Sequence, residues 1–172
     1  MTPETASTIL QFLCTTLEQE IKTTRSVLAA VPDDKADYTP HPTSMTAHKL
    51  AVHIATADVW FIEGILKGAY DMPEPNDADV FKKPSDAVAY YDEKMPVLLE
   101  QLKAVSGEKI ATPIPLFTWN LPGLNYLNVM MLHTSHHRGQ LSAYLRPMGA
   151  KVPAIYGGSA DTEAEAAETA KA

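Results

Sequence analysis

An all-α four-helix bundle is the architecture this sequence predicts, and three observations carry the prediction. Four stretches of roughly 20 residues repeat apolar side chains at three- and four-residue steps, the period of a helix with one buried face. Proline and glycine clusters separate those stretches. No segment shows the apolar–polar alternation expected of a sheet.

The first helix is expected from about Pro3 to Val31, with Ile9, Phe12, Leu13, Leu17, Ile21, Leu28 and Val31 as its apolar stripe. Pro3 suits a first turn and Pro32 ends the pattern. Residues 32–43 hold three prolines and three aspartates and read as a loop. The second helix starts near Ser44, a plausible N-cap, and runs to about Lys67, where Gly68 stops it. Leu50, His53, Ile54, Ala57, Phe61 and Ile65 form its inward stripe. The connection from Gly68 to Pro84 is long for a bundle and suits a binding wall or lid as well as a solvated loop. The third helix is expected from Ser85 to before Gly107, with Val88, Tyr91, Met95, Leu98, Leu99 and Leu102 inward and Pro96 kinking or splitting it. The proline-rich, apolar residues 108–122 are expected to pack over the bundle mouth. The fourth helix runs from about Gly123 to Leu145, on Leu127, Met130, Met131, Leu141 and Tyr144. The bundle domain is thus read as residues 1–157. Residues 158–172 are rich in Ala and Glu and read as an acidic tail, flexible or loosely held as a helix.

Composition narrows the function. The chain has 172 residues, 45% hydrophobic and 20% charged, with a formal net charge of -7. That suits one domain with a real core. No basic patch or stripe favours nucleic acid or an anionic membrane surface as partner. No apolar run is long enough for a transmembrane helix. The N-terminus lacks the basic and apolar regions of a signal peptide. Cys14 is the one cysteine, so no intrachain disulfide forms, and its apolar neighbours suggest a buried, inert thiol. A reducing cytoplasm is the expected compartment.

Chemistry concentrates in Leu132-His133-Thr134-Ser135-His136-His137-Arg138-Gly139-Gln140. His133 and His137 are one helical turn apart on one face, and His53 lies on the inward stripe of another helix. Together they suggest a three-histidine metal site inside the bundle. Three protein ligands leave positions open for water or substrate, the pattern of catalytic rather than structural sites. Imidazole suits Zn, Ni, Fe or Cu, with Zn favoured by availability. His136 lies about 100° around the helix from His137 and reads as a surface or supporting residue. His48, about 140° from His53, is expected to face solvent, as is His41 in its loop. Gly139 is expected to permit close helix packing. Residue 134 is Thr where a zincin needs Glu. No histidine has Glu three positions before it, as a di-iron carboxylate bundle requires. CxxC, P-loop and GxSxG motifs are also missing.

The segment from His133 to Leu141, with the upstream run from Ser44 through His53 to Trp60 and Phe61, resembles the DinB/YfiT-like metalloenzymes. Leu145-Arg146-Pro147-Met148-Gly149 and Val152-Pro153 resemble that family's C-terminal pattern. The resemblance covers about residues 5–157. It implies an up-down-down-up four-helix bundle with a divalent metal held by His53, His133 and His137, and homodimers are frequent in it. Members with assigned activities resemble thiol-dependent S-transferases and isomerases that use low-molecular-weight thiols. The leading expectation is therefore a metal-dependent, thiol-using S-transferase acting on a small molecule. The alternatives are a metal-dependent hydrolase, with Glu20 as a carboxylate able to reach inward, and a non-catalytic metal- or ligand-binding bundle. Gln140, Tyr144 and Trp60 are candidate pocket residues.

Overall fold

The computed structural model describes residues 1–71 and 80–169 of the chain. Pro73, Pro75 and Asn76, on which the reading of the 68–84 connection rested, lie outside the described residues, as does Lys171.

Helix α1, Pro3–Ala29, starts where Thr2 Oγ1 accepts the Thr5 amide and Pro3 occupies the first turn. Helix α2, Ala47–Lys67, is capped by Thr46, whose hydroxyl accepts the Lys49 amide. The cap is therefore Thr46, two residues past the expected Ser44. Gly68 ends α2 at φ 78, the left-handed conformation that glycine adopts freely. Helix α3, Pro84–Lys103, passes unbroken through Pro96, against the expected split. Pro96 sits on the solvent side, where water can serve the carbonyl left without a donor. Helix α5, Gly123–Leu145, has the expected bounds. Between α3 and α5 lie a short helix α4, Gly107–Ala111, and a hairpin of β1, Pro113–Leu116, with β2, Trp119–Pro122.

The hairpin corrects the expectation of no sheet. Its antiparallel register pairs Pro113 with Pro122 and Leu116 with Trp119. Ile114 and Leu116 point into the core while their neighbours are exposed. That alternation spans only four residues among prolines, too few to stand out in the sequence. Tyr126 O–H donates to the Ile114 carbonyl at 2.8 Å and ties the hairpin to α5. Phe117, at the tip, adopts φ 50. The α4–hairpin unit packs at the end of the bundle where α1 begins. There a Cβ on Gly107 would lie 1.9 Å from the Pro3 carbonyl oxygen, so glycine is required for the close approach.

The four long helices touch as a ring: α1 with α3, α3 with α2, α2 with α5, and α5 with α1. His53 meets His133 and His137, Asp58 meets Thr134, and Ile65 lies against Gly123. Ascending α2 thus means descending α5, and the two run antiparallel. Leu10, Cys14, Leu17 and Leu28 of α1 join Leu50, Ile54, Ile62 and Ile65 of α2 in the core. Tyr91, Met95 and Leu102 of α3 and Leu127, Met130, Leu141 and Leu145 of α5 complete it. Phe12, expected inward, is exposed. The stripe of α1 runs through Leu10, Cys14 and Leu17, a small rotation from the expected one.

The core also holds polar groups. Arg138 is 1% exposed. Its guanidinium pairs with Glu20 at 2.7 Å and donates to Thr24 Oγ1 at 3.0 Å, both on α1. It also donates to the Tyr156 hydroxyl, and the Tyr156 ring lies 5.1 Å from the guanidinium carbon. Tyr156 in turn donates to Glu20 at 3.0 Å. Asp58, 2% exposed, accepts from Tyr91 O–H at 2.9 Å and from Thr134 O–H. Beyond Tyr156, helix α6, Ala160–Thr169, is joined to the bundle by Asp161, which pairs with Arg146 at 3.0 Å and accepts the Val152 amide at 2.9 Å.

Removing one partner of a buried ion pair strands the other, whereas an exposed pair is already solvated. Arg138→Ala is expected to cost about 3–5 kcal/mol in urea unfolding. Arg25→Ala, which breaks an exposed pair with Asp92, is expected to cost under about 1 kcal/mol. Equal costs would contradict the buried pair's role.

Candidate metal centre

Helical period explains how two neighbouring faces of α5 divide their work. Met130, Thr134, Arg138, Leu141 and Leu145 face the core. His133, His137 and Gln140 occupy the adjacent face, toward α2, and are half-buried. His53, half-buried on α2, meets them there.

The three imidazoles converge. Ring centroids are 4.9 Å apart for His53 and His133, 4.6 Å for His53 and His137, and 4.5 Å for His133 and His137. One ligand nitrogen from each ring lies within 4.8 Å of those of the other two, a cluster that could hold a metal ion. His53 Nε2 and His133 Nε2 are 3.0 Å apart. At most one of them carries a proton there, so at least one lone pair faces the cluster. Gln140 Oε1 accepts from His137 Nδ1–H at 3.1 Å. That bond fixes the tautomer and leaves the His137 lone pair on Nε2. His133 Nδ1 is buried without a hydrogen-bond partner.

Burial and neighbouring rings favour the neutral forms of His53 and His133. Burial, then the neighbouring His137, His53 and His136, push His133 down to about 4. Burial and His137 also lower His53. A neutral imidazole is the form that ligates a metal. Among the described residues, no carboxylate or thiol joins the cluster. The donor set is therefore all nitrogen, which suits a borderline divalent ion and is short of the four protein ligands that close a structural zinc site.

The other expected residues are placed as follows. His136 is exposed, with its ring 4.8 Å from that of His137, and lies outside the cluster. His41 is exposed in its loop. His48, expected to face solvent, is half-buried, and its Nε2 bonds the Phe81 carbonyl at 2.8 Å. Helical phase turned it away from His53 correctly, but toward the chain leading into α3 rather than toward water. Gly139, expected to allow close helix packing, is exposed, and a Cβ there would meet nothing within 4 Å. Glu20 does reach inward, but to Arg138 and Tyr156. The Tyr144 ring is buried edge-on to Tyr38 at 5.7 Å, with its hydroxyl unpartnered.

The residues missed in sequence are Asp58, Thr134 and Arg138. Each is a polar residue on a helical core stripe, which is the signal that could have found them: Asp58 stands between Ile54 and Ile62, and Thr134 and Arg138 between Met130 and Leu141. Thr134 immediately follows His133, so its bond to Asp58 holds α5 in rotation beside that ring.

The sequence profile of the DinB family matches residues 6–169, nearly the whole chain. The chain belongs to the DinB family. The protein YjoA of Bacillus subtilis strain 168 is 29% identical over 127 residues, 73% of this chain and 82% of YjoA. The crystal structure of that DinB-like protein superposes with a TM-score of 0.67 at 25% identity, over 86% of this chain and 99% of its own. A DinB-like protein from Bacillus cereus gives 0.73 at 23% identity, over 84% and 95% of the two chains. These likenesses establish the all-α DinB fold for the bundle that positions the histidines. Among the described residues no helix of the chain is long and apolar enough to cross a membrane.

Asp58 yields a prediction. Burial pushes its carboxyl up to about 7, against opposing hydrogen bonds from Thr134 and Tyr91 and the charge of Arg138. Thr134 has one hydroxyl proton and two acceptors, Asp58 Oδ1 and the Met130 carbonyl. A neutral Asp58 carries a proton of its own and relieves that shortage. An acid whose pKa rises on folding stabilises most below its unfolded value, 3.8, and loses that contribution as the pH rises to about 7. Asn has no such loss. Urea unfolding should therefore show Asp58→Asn gaining stability relative to wild type across that window. A difference independent of pH would contradict the assignment.

Proposed function

We propose that His53, His133 and His137 hold one divalent transition ion, zinc by availability with nickel or iron as alternatives, and that the protein is a metal-dependent S-transferase joining a low-molecular-weight thiol to a small electrophilic molecule. The carrying observation is the convergence of three imidazoles whose ligand nitrogens lie within 4.8 Å of one another, with no fourth protein ligand among the described residues. A bound divalent ion supplies Lewis acidity, which lowers the pKa of a thiol and makes it nucleophilic near neutral pH.

The chain's own residues would do the rest. His53, His133 and His137 present lone pairs, and Gln140 holds His137 in the ligating tautomer. Burial of His53 and His133 keeps protons from competing for those nitrogens. Among the described residues, the inward carboxylates Glu20 and Asp58 are engaged elsewhere, Glu20 with Arg138 and Asp58 with Thr134 and Tyr91, so neither assists a water at the cluster. The free cysteine Cys14 is buried, and burial raises its pKa, so it does not compete as a nucleophile.

Elemental analysis of protein grown in metal-replete medium is expected to give about one transition ion per chain. Protein without stoichiometric metal would overturn the site. A panel of thiols with electrophiles should give turnover that requires both. Thiol-independent cleavage of esters or amides would replace transfer with hydrolysis. His53→Ala, His133→Ala and His137→Ala should each remain helical by circular dichroism and lose the metal. Unfolding of all three would instead indicate a structural ion. Gln140→Ala should weaken zinc binding by about 10–100-fold in competition with a chromophoric chelator, and unchanged affinity would remove Gln140 from that role.

A further inference from the structure

An aromatic run leads away from the histidines along α2. The Phe61 ring lies 6.2 Å from His133 and 5.0 Å from Trp60, and Trp60 lies 4.8 Å from Tyr70. Trp60 follows His53 by seven residues, two turns, on the same face and about 10 Å along the axis. Because α2 and α5 run antiparallel, that places it level with Val129 and Met130, one turn before His133 on the opposing helix. Phe61 is buried, whereas Trp60 and Tyr70 are half-exposed.

Three separate devices hold the two half-exposed rings. Trp60 Nε1–H donates to the Asp71 carbonyl at 2.8 Å. Tyr70 O–H donates to the Phe61 carbonyl at 3.3 Å. Gly64 leaves the space Tyr70 fills, since a Cβ there would stand 2.1 Å from Tyr70 Cε1. With both polar hydrogens donated to backbone carbonyls, the rings offer mainly π surface and carbon edges. Among the described residues beside the rings, Lys67 pairs with Asp71. A surface of that kind takes a flat, uncharged, polarisable group and gives nothing to a carboxylate or phosphate.

We propose that Trp60 and Tyr70 form a platform for a neutral aromatic part of the substrate, with its reactive end directed along α2 toward His53 and His133. The proposal rests on the reading of the histidine cluster as the reactive centre, and it names the substrate class that reading leaves open. Tyr70 stays protonated at all relevant pH, because burial and Tyr126 push it above the ordinary tyrosine range.

The test uses binding rather than turnover. The chain has two tryptophans, so Trp119→Phe leaves Trp60 as the only indole. In that background, N-phenyl-1-naphthylamine should bind saturably at one site and quench Trp60 emission by energy transfer. Followed by the probe's own emission, Trp60→Leu and Tyr70→Ala should each weaken binding by about tenfold or more. Trp60→Phe should retain it within about threefold, with helical circular dichroism intact in all. 1-Naphthol should displace the probe, and 1-naphthoate should do so at least about tenfold less well. Titrations in EDTA and in zinc should agree, so failure of the metal reading leaves this result interpretable. No quenching of Trp60, full affinity in Trp60→Leu with Tyr70→Ala, or equal displacement by naphthoate would each overturn the platform.

Discussion

The pairing of Arg138 with Glu20 is the interaction on which the rest of the arrangement depends. A guanidinium at 1% exposure is tolerable only with its donors used, and here Glu20, Thr24 and Tyr156 use them. That requirement orients α5 against α1. Thr134, one turn earlier, meets Asp58 and so orients α5 against α2, while Tyr91 brings α3 to the same carboxylate. Apolar contacts alone tolerate small rotations of one helix against another, but directional bonds at two successive turns do not. His133 and His137 each stand one residue before one of these anchors, so α5's rotation is settled where the site needs it.

The same economy appears at the cluster. Three imidazoles in a half-buried groove would repel if protonated, and burial and mutual proximity hold His53 and His133 below their ordinary range. The arrangement favours neutral His53 and His133, and the nitrogens of all three rings converge. Gln140 adds direction to one of them, from the next turn of the same helix. The aromatic run from Phe61 through Trp60 to Tyr70 leads on from His133 along α2.

Much of this was legible in the sequence, for identifiable reasons. The bounds of α5 follow from Pro122 and from Arg146-Pro147, and the meeting of His53 with His133 and His137 follows from helical phase together with the family resemblance. Helical phase also removed His136. It misjudged Phe12, because the buried stripe of α1 is rotated slightly from the expected one, and His48, because phase gives a direction but not what stands there, here the Phe81 carbonyl. The hairpin escaped because its alternation covers only Ile114 and Leu116. Asp58, Thr134 and Arg138 escaped because polar residues on a core stripe count against burial until their partners are known, and those partners lie on other helices. Pro96 was read as a breaker because the sequence does not show whether water reaches the carbonyl behind it.

The central claim is that three imidazole nitrogens, and no sulfur or protein carboxylate, form the protein's contribution to one metal site. X-ray absorption spectroscopy at the metal edge of purified protein tests it most directly. The account predicts a first shell of nitrogen and oxygen only, with multiple scattering that fits about three imidazoles at the short distances of metal–nitrogen bonds, about 2.0–2.1 Å for zinc. A sulfur shell, or scattering that fits fewer than two imidazoles, would contradict it.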